Sequence, residues 1–178
     1  MPDRAMTLLR TLATAMLLSI LPATAWPATA TINPAQDNTL AEELPDNSSG
    51  ICDSVFSGMT ADNVARRALI QFDLSSIPAG STITSVTLGM SVTRGGDHAD
   101  TTYALHRVTT AWGEGENGCD FKGGAQGEPA VAGAATWNSA MLSQTTWGAP
   151  GGDYNATASS STLVLANDTA PVWDSNPI

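Results

Sequence analysis

In Ala68-Leu69-Ile70-Gln71-Phe72-Asp73-Leu74 the even positions are all apolar, and Gln71 and Asp73 face the other way. Alternation of this kind marks a strand with one face buried. Residues 82–94 carry the period further, with Val86, Leu88, Met90 and Val92 on one side and Thr87, Gly89, Ser91 and Thr93 opposite. Its β-branched side chains suit a pleated, half-buried surface. Between the two strands, Ser75-Ser76-Ile77-Pro78-Ala79-Gly80-Ser81 supplies a turn, proline fixing φ and glycine relaxing it. Further strands are predicted over residues 102–109 and 160–166, with short N-terminal ones over 30–33 and 39–44. Helical periodicity is nearly absent beyond the N-terminal run, since Asp62 and Asn63 weaken the one short turn offered by 60–67. Many short strands punctuated by Gly, Pro, Asn and Ser predict an all-β fold, a β-sandwich of jelly-roll type. Residues 113–135 are rich in glycine and lack an apolar period, so they read as a long functional or disordered loop.

The N-terminus follows a different logic. Arg4 and Arg10 precede an apolar run over residues 11–21, and Pro22 and Ala23-Thr24-Ala25 follow. That order of positive, apolar and small-residue segments predicts a secretory signal peptide over residues 1–25. Ala28-Thr29-Ala30 gives an alternative cleavage after residue 30. The apolar run falls short of the ~20 residues needed to span a bilayer, so no membrane insertion of the mature chain is expected. The expectation is therefore a single exported domain over residues 31–178, secreted or held at the cell surface. Export also gives Cys52 and Cys119 a meaning. In an oxidising compartment one pair has one possible connectivity, a Cys52–Cys119 disulfide, with two unpaired thiols as the alternative.

Charge narrows the partners. The chain has 7 basic and 17 acidic residues, a net charge of −10. Binding to nucleic acid needs a basic footprint that is missing here, and an anionic membrane surface is disfavoured for the same reason. Removing residues 1–25 takes away Arg4, Arg10 and Asp3 and makes the remainder more negative still. Catalytic signatures are also missing: there is no G-x-S-x-G elbow, H-E-x-x-H helix, P-loop or strand-linked G-x-G-x-x-G. Gly113-Glu114-Gly115-Glu116-Asn117-Gly118 has phosphate-loop glycine spacing, but it is acidic and precedes no helix. His106 lies in a predicted strand and His98 in an Asp-rich turn, and each reads as solvated or structurally bonded rather than as a general base. Acid pairs such as Glu42 with Glu43 and Glu114 with Glu116 read as solvated rather than as a glycosidase couple. The reading is of a protein that is not an enzyme.

Two constellations remain. Trp112, Trp137, Trp147, Trp173, Tyr103 and Tyr154 fall at strand ends or in loops. Such rings pack against the C–H faces of sugars while neighbouring polar groups, Arg107 among them, bond the hydroxyls. For each tryptophan the alternative is a place in the sandwich core. Oxygen-rich turns form the second group: Asp37-Asn38, Asp46-Asn47 and Gly151-Gly152-Asp153. Ca²⁺ takes six to eight oxygens from turns of this type. Asp37, Asn38 and Asp153 are the metal candidates for a structural Ca²⁺, and solvated turn carboxylates are the alternative.

Several pieces in order resemble one family. Gln36-Asp37-Asn38-Thr39-Leu40 is similar to the opening of the DNRLRE domain, related to carbohydrate-binding module family 96. So are Arg66-Arg67-Ala68-Leu69-Ile70-Gln71-Phe72-Asp73-Leu74 and Ile77-Pro78-Ala79-Gly80-Ser81. Leu105-His106-Arg107-Val108, Ala111-Trp112-Gly113-Glu114-Gly115, Ala135-Thr136-Trp137 and Trp147-Gly148-Ala149-Pro150-Gly151-Gly152-Asp153 fit in the same order. The resemblance runs from about Thr31 to Asp153. It implies an extracellular, non-catalytic β-sandwich that in some relatives binds polysaccharide. Domains of this kind continue past the equivalent of Trp173 into final strands, so the sandwich is expected to lack its last strands, with residues 167–178 poorly packed.

Two function classes follow. The first is a carbohydrate-binding module for extracellular polysaccharide or a matrix component, and the second is a structural or adhesive surface domain with no small ligand. Relatives linked to alginate face a polyanion. Unless Ca²⁺ bridges the charges, or Arg66, Arg67, Arg94 and Arg107 gather on one face, a neutral glycan fits this acidic chain better.

Overall fold

A computed structural model describes residues 28–93, 99–119, 126–166 and 168–175. The expected signal peptide, Arg94, His98, Lys122 and the last three residues lie outside the described residues. From Thr31 onward the chain forms one compact unit. The described residues hold eleven strands and no helix: β1 Pro34–Ala41, β2 Asn47–Ser48, β3 Gly58–Met59, β4 Ala65–Phe72, β5 Thr87–Gly89, β6 Thr101–Leu105, β7 Glu128–Pro129, β8 Ser139–Met141, β9 Thr145–Thr146, β10 Ser160–Val164 and β11 Val172–Asp174. All pairings are antiparallel. The fold is an all-β sandwich.

Its centre is the sheet β1-β4-β3. Cross-strand partners share a face, so the β1–β4 register sorts the side chains. Asn38 and Leu40 oppose Leu69 and Arg67, while Asp37, Thr39 and Ala41 oppose Ile70, Ala68 and Arg66. Leu40 and Leu69 join Trp112, Ala135, Trp137, Ala140 and Trp147 in one buried cluster. Asp37 and Ile70, on the opposite face, line a groove whose far wall comes from the other half of the molecule. Both faces of β1 are therefore covered, which is why its last four residues are all buried.

The second layer consists of β5 paired with β11 and β6 paired with β10. Hydroxyls stitch the two pairs together: Ser160 Oγ donates to the Asp174 carbonyl (2.7 Å) and Thr162 Oγ1 to the Val172 carbonyl (2.6 Å). Tyr103 opposes Thr162, and Trp173 opposes Leu88.

The expectations fare unevenly. Residues 30–33 and 39–44 form no separate strands; one strand, β1, spans Pro34–Ala41 instead. Residues 60–64 form no helix but the tight turn between β3 and β4, and 65–67 belong to β4, where Arg66 and Ala65 pair with Gly58 and Met59. Leu69 is the deepest residue of β4, not its even neighbours, because the strand is covered on both sides. Over 87–93 the phase holds, with Leu88, Met90 and Val92 half-buried and the residues between them exposed, but residues 82–86, Val86 included, are exposed. Only Thr87–Gly89 make a ladder, although Met90 and Val92 still donate to the carbonyls of Pro171 and Thr169 (3.2 and 3.0 Å). Pro171 has no N–H to return, so regular pairing stops there.

Residues 113–135 are not a structureless loop where they are described. Asn47 and Ser48 pair with β7, Gly113 donates to the Ala140 carbonyl, and Ala135 donates to the Gly113 carbonyl. A Cβ at Gly113 would collide with the Gly133 carbonyl, so close backbone approach accounts for that glycine. The described part of the C-terminal segment is mixed, with Thr169, Ala170, Val172 and Asp174 exposed. Pro171 and Trp173 are buried, and Trp173 Nε1 donates to the Tyr103 carbonyl (3.0 Å). Cys52 and Cys119 are joined in a disulfide, their Cα atoms 5.3 Å apart. It ties the segment after β2 to the first part of the glycine-rich stretch.

Candidate functional site: the groove between the layers

Between the central sheet and the second layer lies a groove of about 420 Å³. That volume falls within the range typical of small-molecule sites. Three aromatic residues border it: Phe56, Tyr103 and Trp173. Phe56 follows Cys52 in an aperiodic stretch, and its N–H donates to Thr39 Oγ1 (3.0 Å), which fixes that stretch on β1. Tyr103 projects from β6 and Trp173 from β11, the latter locked by its indole hydrogen bond. Ser54, Ser57, Ser91 and Thr93 add hydroxyls, and Asp37 and Asp53 add carboxylates.

Asp37 is the unusual member. Burial, with the nearby Glu114 carboxylate adding to it, pushes its carboxyl above the ordinary carboxylate value. Its Oδ1 is buried and has no hydrogen-bond partner among the described residues. Glu114 is part of the framework rather than a freely solvated acid, since its Oε1 accepts from the Asp37 N–H (2.9 Å).

The sequence-predicted aromatic residues divide into three groups. Trp112, Trp137 and Trp147 are each at least nine-tenths buried and belong to the core on the far side of the central sheet. Trp147 Nε1 donates to the Thr136 carbonyl (2.8 Å), so even its polar edge is used internally. Their faces are not presented to a sugar, and the core placement weighed for each tryptophan describes these three. Tyr103 lines the groove. Tyr154 and Arg107 meet at a third place, where Tyr154 bridges Val108 and the Asn155 N–H donates to the Arg107 carbonyl (2.9 Å). Tyr154 is 42% exposed, with His106 edge-on at 5.1 Å and the Arg67 guanidinium 5.2 Å from its ring. Arg67 lies equally close to Trp137 (5.1 Å) and donates to the Gly151 carbonyl (2.6 Å).

Arg66 and Arg67 do not share one basic face. Arg66 and Arg67 are consecutive in β4 and point to opposite sides of the sheet. Arg66 is ion-paired with Glu43, and Arg67 is committed to Trp137, Tyr154 and Gly151. The condition under which a polyanion would suit this chain is therefore not met by these two residues.

The calcium candidates do not converge either. Asn38 is fully buried, and its Oδ1 accepts from the Ser49 N–H (2.9 Å). Its Nδ2 reaches Ser48 Oγ and the Glu114 and Ala135 carbonyls. Asp153 holds the turn before it, accepting from the Gly148 and Ala149 N–H groups and the Thr110 hydroxyl. Those bonds, the Gly148 N–H first, keep its carboxyl below the ordinary value. Both side chains spend their oxygens on the protein itself, and only Asp37 keeps a free one. Among the described residues no group of three or more His, Cys, Asp or Glu side chains is arranged to hold a metal ion.

Phe56 and Asp53 escaped the sequence reading because no period marks residues 49–57. Cys52 was the available signal, since a cross-link implies that its neighbourhood is held in place. No helix among the described residues is long and apolar enough to cross a membrane. No curated protein and no solved structure gave a match to the chain. The family model for carbohydrate-binding module family 96 matches residues 28–117. That stretch covers half of the chain and contains most of the groove, including Asp37, Phe56, Met90 and Tyr103, but ends before Trp137, Tyr154 and Trp173. With half of the chain matched by that family model, the chain belongs to carbohydrate-binding module family 96.

Proposed function

We propose that this protein is an exported, non-catalytic domain that binds extracellular polysaccharide in the groove bordered by Phe56, Tyr103 and Trp173. The observation that carries this reading is the juxtaposition in one groove of aromatic rings with hydroxyls and carboxylates. Apolar ring faces favour the C–H surface of a pyranose, and the polar groups around them bond its hydroxyls. Family membership supports the substrate class. Export is supported by the charged, apolar and small-residue order of the N-terminus and by the Cys52–Cys119 disulfide, which suits an oxidising compartment. Residues 1–25 are proposed as the signal peptide and residues from 31 as the mature domain.

Titration with soluble neutral and acidic polysaccharides, followed by tryptophan fluorescence and by retardation in glycan-containing gels, tests this directly. Trp173 borders the groove, so a fluorescence change is expected for at least one neutral glycan. Phe56→Ala and Tyr103→Ala should weaken it without unfolding the chain. A complete lack of response to every glycan would overturn the reading and favour the structural or adhesive alternative, which the burial of Trp112, Trp137 and Trp147 already accommodates.

A further inference from the structure

The sequence contains three Asn-x-Ser/Thr triplets: Asn47-Ser48-Ser49, Asn155-Ala156-Thr157 and Asn167-Asp168-Thr169. This pattern is the minimal acceptor for N-linked glycosylation, which needs the asparagine nitrogen and the hydroxyl two residues on within reach of a transferase. The fold treats the first two triplets in opposite ways. Asn47 lies in β2, paired with β7, and its Nδ2 donates to the Gln126 and Gly127 carbonyls (3.0 and 3.3 Å). Ser48 and Ser49 are buried, and the Ser49 N–H is spent on Asn38. Asn155 instead opens a surface loop, and residues 154–159 are all exposed. Its N–H donates to the Arg107 carbonyl (2.9 Å) and its carbonyl meets His106 Nδ1 (2.8 Å), so its backbone is anchored. The Ser159 N–H closes the loop on the Leu105 carbonyl (2.8 Å). Asn155 Oδ1 accepts from the Thr157 N–H (3.0 Å), an Asx-turn. Asn155 Nδ2 and Thr157 Oγ1 make no hydrogen bond with any described residue. Asn167 lies outside the described residues.

Resting on the export proposed above, we infer that Asn155 is the acceptor of an N-linked glycan and that Asn47, in the folded chain, is not. In the reaction Asn155 Nδ2 attacks the anomeric carbon of a lipid-linked oligosaccharide. A C–N bond forms, the C–O bond to the lipid pyrophosphate breaks, and the pyrophosphate leaves with the electron pair. Nδ2 gives up one proton to a base of the transferase or to solvent, and nothing is oxidised or reduced. The Asx-turn holds the amide by its oxygen and leaves the reacting nitrogen unencumbered. At Asn47 the same nitrogen is tied to two carbonyls inside a strand pair, so transfer there requires the structure to open. Residues 154–159 are not part of the groove lining, so the attached glycan and a glycan bound in the groove occupy different places. The attached sugar stands next to Tyr154, whose exposed ring is packed edge-on against His106.

The test presents the purified, disulfide-bonded full chain to an oligosaccharyltransferase that reads Asn-x-Ser/Thr, together with a lipid-linked oligosaccharide. Asn167→Gln is introduced throughout, and peptide mass spectrometry reads occupancy at Asn47 and Asn155. Synthetic peptides spanning residues 43–53 and 150–161 serve as unfolded references, and both should be modified. In the folded chain, occupancy relative to the matching peptide should be at least about tenfold higher at Asn155 than at Asn47, a ratio that an opening cost of only about 1.4 kcal/mol already produces. Asn155→Gln and Thr157→Ala should each abolish the modification, and Asn47→Gln should leave it unchanged. An unmodified Asn155 in the folded chain, with its peptide modified, would overturn the inference. Equal relative occupancy at Asn47 and Asn155 would overturn the selection by the fold. Export is read separately, as an N-terminus beginning after residue 25 or 30 in protein recovered outside the cell, so failure of that reading and failure of the acceptor are told apart.

Discussion

The two faces of the β1–β4 sheet are built in opposite ways. One face is filled by Trp112, Trp137 and Trp147, all carried on irregular backbone, together with Leu40 and Leu69. The other looks across at the more regular strands β5, β6, β10 and β11, and it is left partly open as a groove. Regular pairing therefore did not give the tighter packing. On the filled side, irregular backbone is held by buried polar side chains, chiefly Asn38 and Thr136, whose hydrogen bonds replace those of a ladder. On the open side, the second layer is two separate pairs joined by side-chain hydroxyls, and residues such as Phe56 and Tyr103 stay half-buried. Stability is concentrated on one face, and the surface left for recognition is on the other.

The sharpest way to break this contrast is to empty the filled face. Trp137→Ala should cost about 3–5 kcal/mol, the usual range for truncating a buried large aromatic, and should also release Arg67 from its ring. Phe56→Ala in the groove should cost clearly less, because the residue is only half-buried. Chemical denaturation of both variants checks the ordering, and equal losses would erase the distinction between the faces. Next in size is the disulfide. Cys52 and Cys119 are 67 residues apart, and on the chain-entropy argument a closed loop of that size contributes about 4 kcal/mol. Thermal unfolding with and without reductant should show a lower midpoint in the reduced form. An unchanged midpoint would mean that residues 49–57, and the groove wall they form, are held by other contacts.

Much of the open side was legible in the sequence, because period-2 alternation reports one-sided burial. Leu88, Met90 and Val92, and Gln71 with Asp73, lie as the pattern requires. The filled side was far less legible. No period announces that Trp112, Trp137 and Trp147 meet one another, and Leu69 breaks the alternation of its own strand because a second layer lies behind it. The candidate site was visible in part: Tyr103 and Asp37 were both singled out from residue type, and both line the groove. Their neighbours Asp53 and Phe56 depend on the path of an aperiodic loop, which residue spacing does not encode. The Asp37-Asn38 turn was misread in one respect. Alternation sends the two side chains to opposite faces of β1, Asn38 into the buried network and Asp37 to the groove.

A medium effect probes that buried network. Asn38→Leu should destabilise by roughly 1–3 kcal/mol, because the Ser49 N–H and the Ala135 carbonyl lose a buried partner. Denaturant midpoints check this, and a neutral result would show that water replaces the amide.

The smallest effects concern pH, and they run in opposite directions on the two carboxylates. Asp153 has a lowered pKa in the fold, so its contribution is present above the ordinary carboxylate value and is lost as pH falls through the lowered one. Asp37 has a raised pKa, so between the ordinary and the raised value the fold holds more protons, and stability rises as pH falls. Asp153→Asn should therefore lower the unfolding midpoint at neutral pH, with the deficit fading in acid. Asp37→Asn should raise the neutral-pH midpoint, with that gain fading in acid. Unfolding midpoints measured across the acid range for both variants check the pair, and shifts of the same sign would contradict the assigned environments.

The division into a structural face and a recognition face is tested most directly by mapping backbone amide shifts while an oligosaccharide that binds is added to the labelled protein. The account predicts shifts concentrated at Asp53–Ser57, Met90–Thr93 and Tyr103, with Trp112, Ala135, Trp137 and Ala140 unmoved. Shifts centred instead on residues around Trp137 and Trp147, or on Tyr154 and Arg107 with the groove silent, would contradict it.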